Sequence, residues 1–242
     1  MARDAWTEAD SRGFLALGRY FVPAREAQIA TVVGAIPAVA APVHLVDLCA
    51  GEGLLTEALL ERFPAARVHA FDGSAAMLAA LGRRLARHGE RLETRAFDLA
   101  GGDWRRLPWR PHAVVSSLAV HHLSGAEKAG LYADMARLLA PGGALVIADL
   151  IAPLSAEARA IAATQWDQAV ARQTAGVADG AAARDRFAAE RWNFYRDPEP
   201  DPIDRPSPLT SQLRWLEAAG LVAVEVYWLV AGHAIFGGRK PG

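Results

Sequence analysis

The sequence predicts an α/β fold: a doubly wound, seven-stranded, mostly parallel sheet with an antiparallel terminal strand pair, preceded by N-terminal helices and carrying a helical insertion. Three observations predict it. Between Val43 and Leu150 short apolar runs alternate with amphipathic stretches, the pattern of βαβ crossovers. The first run ends in a glycine-rich turn, DLCAGEG, that opens a helix. Near the end, LVAVEVYWLVAGHAIFGG (221–238) alternates as two strands, antiparallel at the sheet edge.

The elements follow in order. Residues 43–48 (VHLVDL) read as a buried strand, and 54–63 as a helix with Leu55, Leu59 and Phe63 on one face. VHAFD (68–72) is the second strand. The helix after it has Ser74 as N-cap and Gly89 as stop. LETRAFD (92–98) is the third strand and HAVVSSLAV (112–120) the fourth. A helix closed by Pro141-Gly142-Gly143 leads into the fifth strand, ALVIADL (144–150). There the rhythm breaks. Residues 155–192 are rich in Ala and Arg with Trp and Phe at helical spacing, and DPEPDPIDRPSP (197–208) must be an extended surface loop. Thr210 is placed to cap a last helix stopped by Gly220. A single domain over 1–242 results: helices in 1–42, an α/β core in 43–150, an insertion in 151–208, and a closing helix and strand pair in 209–242.

With 52% hydrophobic and 22% charged residues the chain is globular. A net charge of −1 supplies no global field for nucleic acid or an anionic membrane. The one cysteine, Cys49, excludes an internal disulfide, and the polar start MARDAWTEADSR lacks the basic and apolar regions of a signal peptide. No apolar run is long enough to span a membrane. A soluble cytoplasmic protein is the expectation.

A tight glycine turn after a buried strand lets backbone approach a ligand, and the helix that follows offers free N–H groups. A dinucleotide site wants a third glycine, where this chain has Thr56. Asp47, just before the turn, would also be unwelcome beside a diphosphate. An acid there suits a cationic ligand.

DLCAGEG resembles the first motif of the class I S-adenosylmethionine-dependent methyltransferases, with Cys49 in place of the first glycine. Asp72 in FDGS, Asp98 in FDLA, VVSSLAVHHL and LLAPGGALVIADL resemble the later landmarks in register, over roughly residues 43–150 and 209–239. The resemblance implies S-adenosyl-L-methionine as cofactor. It implies Asp47 at the ammonium, with Ala50, Gly51 and Gly53 in the turn. Asp72 and Gly73 would sit at the ribose diol, Asp98 and Leu99 at the adenine edge with Met77 on its face, and Ser117 and Leu118 beside the methionine part and the methyl. The helices before the first strand would form a lid, with Tyr20 and Arg25 at the methionine carboxylate. His121, His122 and Asp149 are the candidate bases. In the insertion Arg191, Trp192 and Tyr195 suit a planar, anionic substrate, or equally a homodimer interface.

Simpler readings stand beside these. An Asp at a strand end is often a helix cap. Cys49 suits a small packing residue of the turn. The histidine pair reads also as polar turn residues, and no metal site is expected because adjacent histidines point apart. Trp166 and Trp215 read as core. The function implied is methyl transfer to an O or N nucleophile of a small molecule. The alternatives are a wobble-uridine-type tRNA-modifying enzyme, or a protein that binds S-adenosylmethionine without transferring its methyl.

Overall fold

The computed structural model describes residues 6–99, 101–197 and 202–242. The polar start of the chain at 1–5 and the proline-loop residues 198–201 lie outside the described residues. Five strands alternate with helices as expected: β1 (His44–Leu48), β2 (Arg67–Asp72), β3 (Leu92–Ala96), β4 (Ala113–Ser117) and β5 (Ala144–Leu150). Two helices precede them, α1 (Glu8–Phe21) and α2 (Arg25–Gly34), and α3 (Leu54–Arg62), α4 (Ala75–Leu85) and α5 (Gly125–Leu138) lie between them. The insertion holds α6 (Ala156–Gln173) and α7 (Gly180–Ala189); then come α8 (Leu209–Ala218), β6 (Val222–Val230) and β7 (His233–Arg239).

The sheet order is β3-β2-β1-β4-β5-β7-β6. Strands β1 to β5 pair in parallel, and β7 runs antiparallel between β5 and β6. The sheet therefore reverses its winding between β1 and β4, where open α/β sheets leave a crevice at the strands' carboxyl ends. Both faces are covered. Leu45, Val68, Val115, Val146 and Ile235 pack on one side with Leu55, Leu59 and Phe63 of α3 and its end. Val46, Leu48, Val114, Ile147 and Phe236 pack on the other with Leu131, Met135 and Leu216. Every residue of β5 is buried, which is why it reads as an unbroken apolar run but for Asp149.

Four boundaries differ from the sequence reading, each for a local reason. β3 stops at Ala96, opposite Asp72, because its only neighbour, β2, ends there. β4 stops at Ser117 because Leu118 turns to φ +58°. The helix after β2 is α-helical only to Leu85 and ends in a 3-10 turn, Ala86–Arg91, in which Gly89 sits at φ +53°. Thr210 lies inside α8, whose N-cap position is held by Pro208. Ser74 does cap α4, accepting the Met77 N–H at 3.2 Å.

The insertion and α1 build a third apolar cluster from Phe21, Trp166, Phe187 and Tyr195. Trp166 is core, as expected, and its indole N–H donates to the Phe21 carbonyl at 2.7 Å. No helix among the described residues is long and apolar enough to cross a membrane.

Tyr195 keys this cluster into the sheet: its hydroxyl reaches the carbonyls of Ile151 (2.8 Å) and Gly232 (2.5 Å). Gly232 sits at φ +74°, and a Cβ there would fall 2.1 Å from the Tyr195 ring. Gly232→Ala should therefore cost about 1–3 kcal/mol of stability from overpacking and left-handed strain. Denaturant unfolding measures it, and an unchanged midpoint would refute the fit of ring against backbone.

Candidate active site

A cavity of about 670 Å³ opens where the carboxyl ends of β1, β2 and β4 meet α1 and the end of the insertion. Its floor is the turn after β1. Cys49 and Gly51 both adopt left-handed φ, +58° and +57°. Glycine takes that conformation freely, and a cysteine takes it at a cost of about 1–2 kcal/mol. Only Met77 Sδ, at 3.9 Å, would approach a Cβ on Gly51, so this backbone lies bare against the cavity. Gly53, at φ +87°, has a different duty. A Cβ there would strike Leu81 at 2.8 Å, so its bareness lets α3 close on α4. Gly53 is thus a packing glycine and does not line the cavity, contrary to the cofactor role expected of it.

Asp72 joins two turns. One carboxylate oxygen accepts the Gly51 N–H and the other the Ser74 N–H, both at 2.8 Å. Burial raises its pKa against those two donors, and the nearby Glu8 carboxylate raises it further. Asp47, at the cavity's base, accepts the Thr56 hydroxyl at 2.6 Å and so also serves the start of α3. Burial pushes its carboxyl up to about 7, opposed by the Thr56 bond and by Arg25. Arg25 lines the same wall and donates to the Ser117 hydroxyl at 2.6 Å; burial lowers its pKa to about 10, while Asp47 and Glu52 hold it up. Ala50, Gly73, Met77, Asp98, Leu99, Ser117 and Leu118 also line the cavity.

The N-terminal helix closes one side. Trp6, Glu8 and Phe14 line the cavity, and Glu8 bridges to α4 by accepting the Ser74 hydroxyl (3.1 Å) and the Ala75 N–H (2.8 Å). A carboxylate at a helix N-terminus is favoured by its free N–H groups and dipole. Sequence reasoning missed Glu8. Its only signal was the T-x-x-D capping box of Thr7 and Asp10, which marks where α1 begins but not what Glu8 reaches.

The two histidines part company. His122 lines the cavity beside Trp6, with ring centroids 5.6 Å apart. His121 is buried and does not line it. Its Nδ1 meets Asp149 Oδ1 at 2.5 Å and its Nε2 faces Asp204 Oδ1 at 3.4 Å. Burial disfavours its charge, but Asp149 and Asp204 outweigh that and carry its pKa up to about 10. A ring so held is protonated near neutral pH and is no general base. Asp149 is spent on the His121 ring and on the N–H groups of His121 and Leu150. Of the three expected bases only His122 borders the cavity. The rings also do not point apart: a 3-10 turn, Val120–His122, brings their centroids to 4.1 Å.

Four further expectations are corrected. Tyr20 is buried under the insertion, where its hydroxyl donates to Asp179 at 3.1 Å, and it does not reach the cavity. Tyr195 is the buried key described above. Trp192 packs on Phe21 at 5.1 Å and donates to Glu190. Arg191 pairs with Asp197 and borders a separate hollow with Arg184 and Arg196. The insertion meets the cavity through Ile203 and Arg205 instead.

Residues 45–143 match the family model described as a methyltransferase domain. The chain is 37% identical over 107 residues to a trans-aconitate 2-methyltransferase of Acidovorax sp. (strain JS42), a stretch that is 44% of this chain and 38% of that protein. It is 39% identical over 102 residues to an uncharacterized methyltransferase of Geobacillus kaustophilus (strain HTA426), covering 41% of this chain and 43% of the relative. The match thus spans less than half the length of these curated relatives. In fold, the chain resembles an O-methyltransferase family protein from Burkholderia thailandensis, with a TM-score of 0.66 at 17% identity over 99% of this chain and 62% of that one. Human N-acetylserotonin methyltransferase, solved in complex with S-adenosylmethionine, gives 0.62 at 12% identity over 98% and 57%. With its domain match over residues 45–143, its strand order and its motifs in register, the chain is similar to the class I S-adenosylmethionine-dependent methyltransferases.

Proposed function

We propose that this chain transfers a methyl group from S-adenosyl-L-methionine to an oxygen or nitrogen nucleophile of a small molecule, by in-line displacement. One observation carries the reading: a single cavity collects Asp47, Asp72 and Asp98 around a bare glycine turn. The residues fit the cofactor. A diphosphate would face the carboxylates of Asp47 and Asp72, whereas an ammonium, a diol and an adenine amino group each meet an acceptor.

The bound sulfonium supplies an already activated methyl, so the chain's work is alignment and exclusion of water. Asp72, its oxygens fixed by Gly51 and Ser74, keeps lone pairs for the diol. Asp98 accepts from the adenine amino group and Met77 packs on the ring. Asp47 answers the ammonium, and Arg25 the methionine carboxylate. Ser117 and Leu118 border the methyl. Trp6 and Phe14 shield that end from water, and His122 takes the acceptor's proton. His121 and Asp149 position the turn that carries it. The acceptor's wall includes Arg205, which favours an acidic small molecule. The relatives named for trans-aconitate support that class.

Asp72→Ala should weaken binding of the cofactor by roughly 1–3 kcal/mol in calorimetric titration. Unchanged affinity would end the assignment. His122→Ala should lower kcat by about 100-fold or more while sparing cofactor affinity; equal turnover would remove the base. Asp47 gives a pH test. Its carboxyl, at about 7, must ionise to face an ammonium, so binding releases protons and tightens as pH rises through that value. Titrations at about pH 6.5 in buffers of different ionisation heat should show the release, and Asp47→Asn should abolish it. Proton uptake would contradict the placement.

A further inference from the structure

A second cluster of chemistry-bearing side chains lies against the acceptor end of the cavity. The 3-10 turn after β4 supplies His121 and His122, and the far end of the insertion supplies Asp204. Asp204 Oδ1 stands 3.4 Å from His121 Nε2 and 3.3 Å from His122 Nδ1, and the three ligand atoms all lie within 4.8 Å of one another. Two donors bound at about 2.0–2.1 Å to one tetrahedral ion stand about 3.3–3.4 Å apart. Both separations from Asp204 match that edge.

The surroundings are built for it. Asp149 holds His121 by Nδ1 at 2.5 Å, which turns Nε2 toward Asp204. This is the carboxylate–imidazole order that orients a ligating histidine and raises its basicity. The backbone that follows Asp204 is held at both polar groups of Arg205. The Arg205 N–H donates to the His121 carbonyl at 2.8 Å, and Lys128 reaches both the Arg205 carbonyl and, at 3.0 Å, the Ser207 hydroxyl. His122 Nδ1 also donates to the Ile203 carbonyl at 3.2 Å, a bond that an ion at this point would replace. Among the described residues no other trio of histidine, cysteine or acid side chains converges this way.

We propose that His121 Nε2, His122 Nδ1 and Asp204 Oδ1 bind a first-row divalent cation such as zinc, cobalt or manganese, the ion displacing to solvent the proton that His121 otherwise carries. Two imidazoles and one carboxylate suit those ions and disfavour magnesium and calcium. Three protein ligands leave a position open. His122 and Arg205 border the cavity, so the open position takes an oxygen of the methyl acceptor, an acid or hydroxy acid held jointly by the ion and Arg205. That last role rests on the methyl-transfer reading, and in it the ion held through His122, in place of the free ring, eases loss of the acceptor's proton; the ion site itself does not rest on that reading.

The test uses the full chain without an affinity tag, stripped with a chelator and titrated with cobalt(II). The expected result is one equivalent bound, with a visible ligand-field absorption band that zinc displaces. Asp204→Asn and His122→Ala should lose the band. Asp149→Asn, which touches no ion, should weaken binding by about 10–100-fold. Circular dichroism and S-adenosylhomocysteine titration of each variant show that fold and cofactor cavity survive. Absence of the band in the unmodified chain, or a band unchanged in both Asp204→Asn and His122→Ala, overturns the proposal and leaves a hydrogen-bonded clasp. S-adenosylhomocysteine binding without cobalt binding sinks the ion site alone. Cobalt binding without S-adenosylhomocysteine binding upholds the ion site and sinks the methyl-transfer reading.

Discussion

A single carboxylate, that of Asp72, sets the geometry on which the cavity depends. The turn after β1 leaves the backbone of Gly51 bare against the cavity, with no side chain at that residue to hold it. Asp72 supplies that hold from the neighbouring strand, taking the Gly51 N–H on one oxygen and the Ser74 N–H on the other. Two strand-end turns are thereby locked at fixed spacing, and the hydrogen bonds to an ionised group are among the stronger a protein makes. Burial raises the pKa of this carboxyl even so. Burial thus opposes the charge that the two N–H donors favour, and the nearby Glu8 carboxylate opposes it further.

Charge is distributed along the cavity with a clear division. Asp47, Asp72, Asp98 and Glu8 gather at the glycine-turn side, whereas Arg205 stands at the side formed by the insertion. Arg25 sits between the Asp47 carboxyl and the Ser117 hydroxyl. A ligand positive at one end and an acceptor negative at the other are each met by the opposite sign. The histidine turn after β4 marks the boundary, with one ring facing the cavity and one buried between carboxylates.

Much of this was legible in the sequence where the signal is local. The strand–turn–helix at 43–63, Asp47 at its strand end and the cap at Ser74 follow from short-range periodicity and turn chemistry, and the acids at 72 and 98 from the resemblance of their motifs. Leu118 shows the limit of that method: an apolar residue in an apolar run looks like strand, and only its positive φ ends β4. Tyr20 and Tyr195 show another. An aromatic with a polar tip looks the same in sequence whether it meets a ligand or spends its hydroxyl on Asp179 or on a carbonyl inside the core. Asp204 and Arg205 reach the histidine turn across some eighty residues of chain, and Glu8 reaches α4 across more than sixty. No spacing rule connects such pairs, because packing of the insertion and of α1 creates them.

The Tyr195 key has a consequence for how this chain can be taken apart. Its hydroxyl joins the end of β5 to the β6–β7 turn, and the room for its ring exists only because residue 232 lacks a side chain. The insertion is thus pinned to the end of the β5–β7 pair, whose last carbonyls Tyr195 caps. The helices at 156–189 also reach the closing hairpin through Gln165, whose side-chain oxygen accepts the Ala231 N–H at 3.0 Å. Evolution can vary the exposed faces of those helices freely, yet exchanging the whole segment for a foreign one means recutting the sheet edge to match.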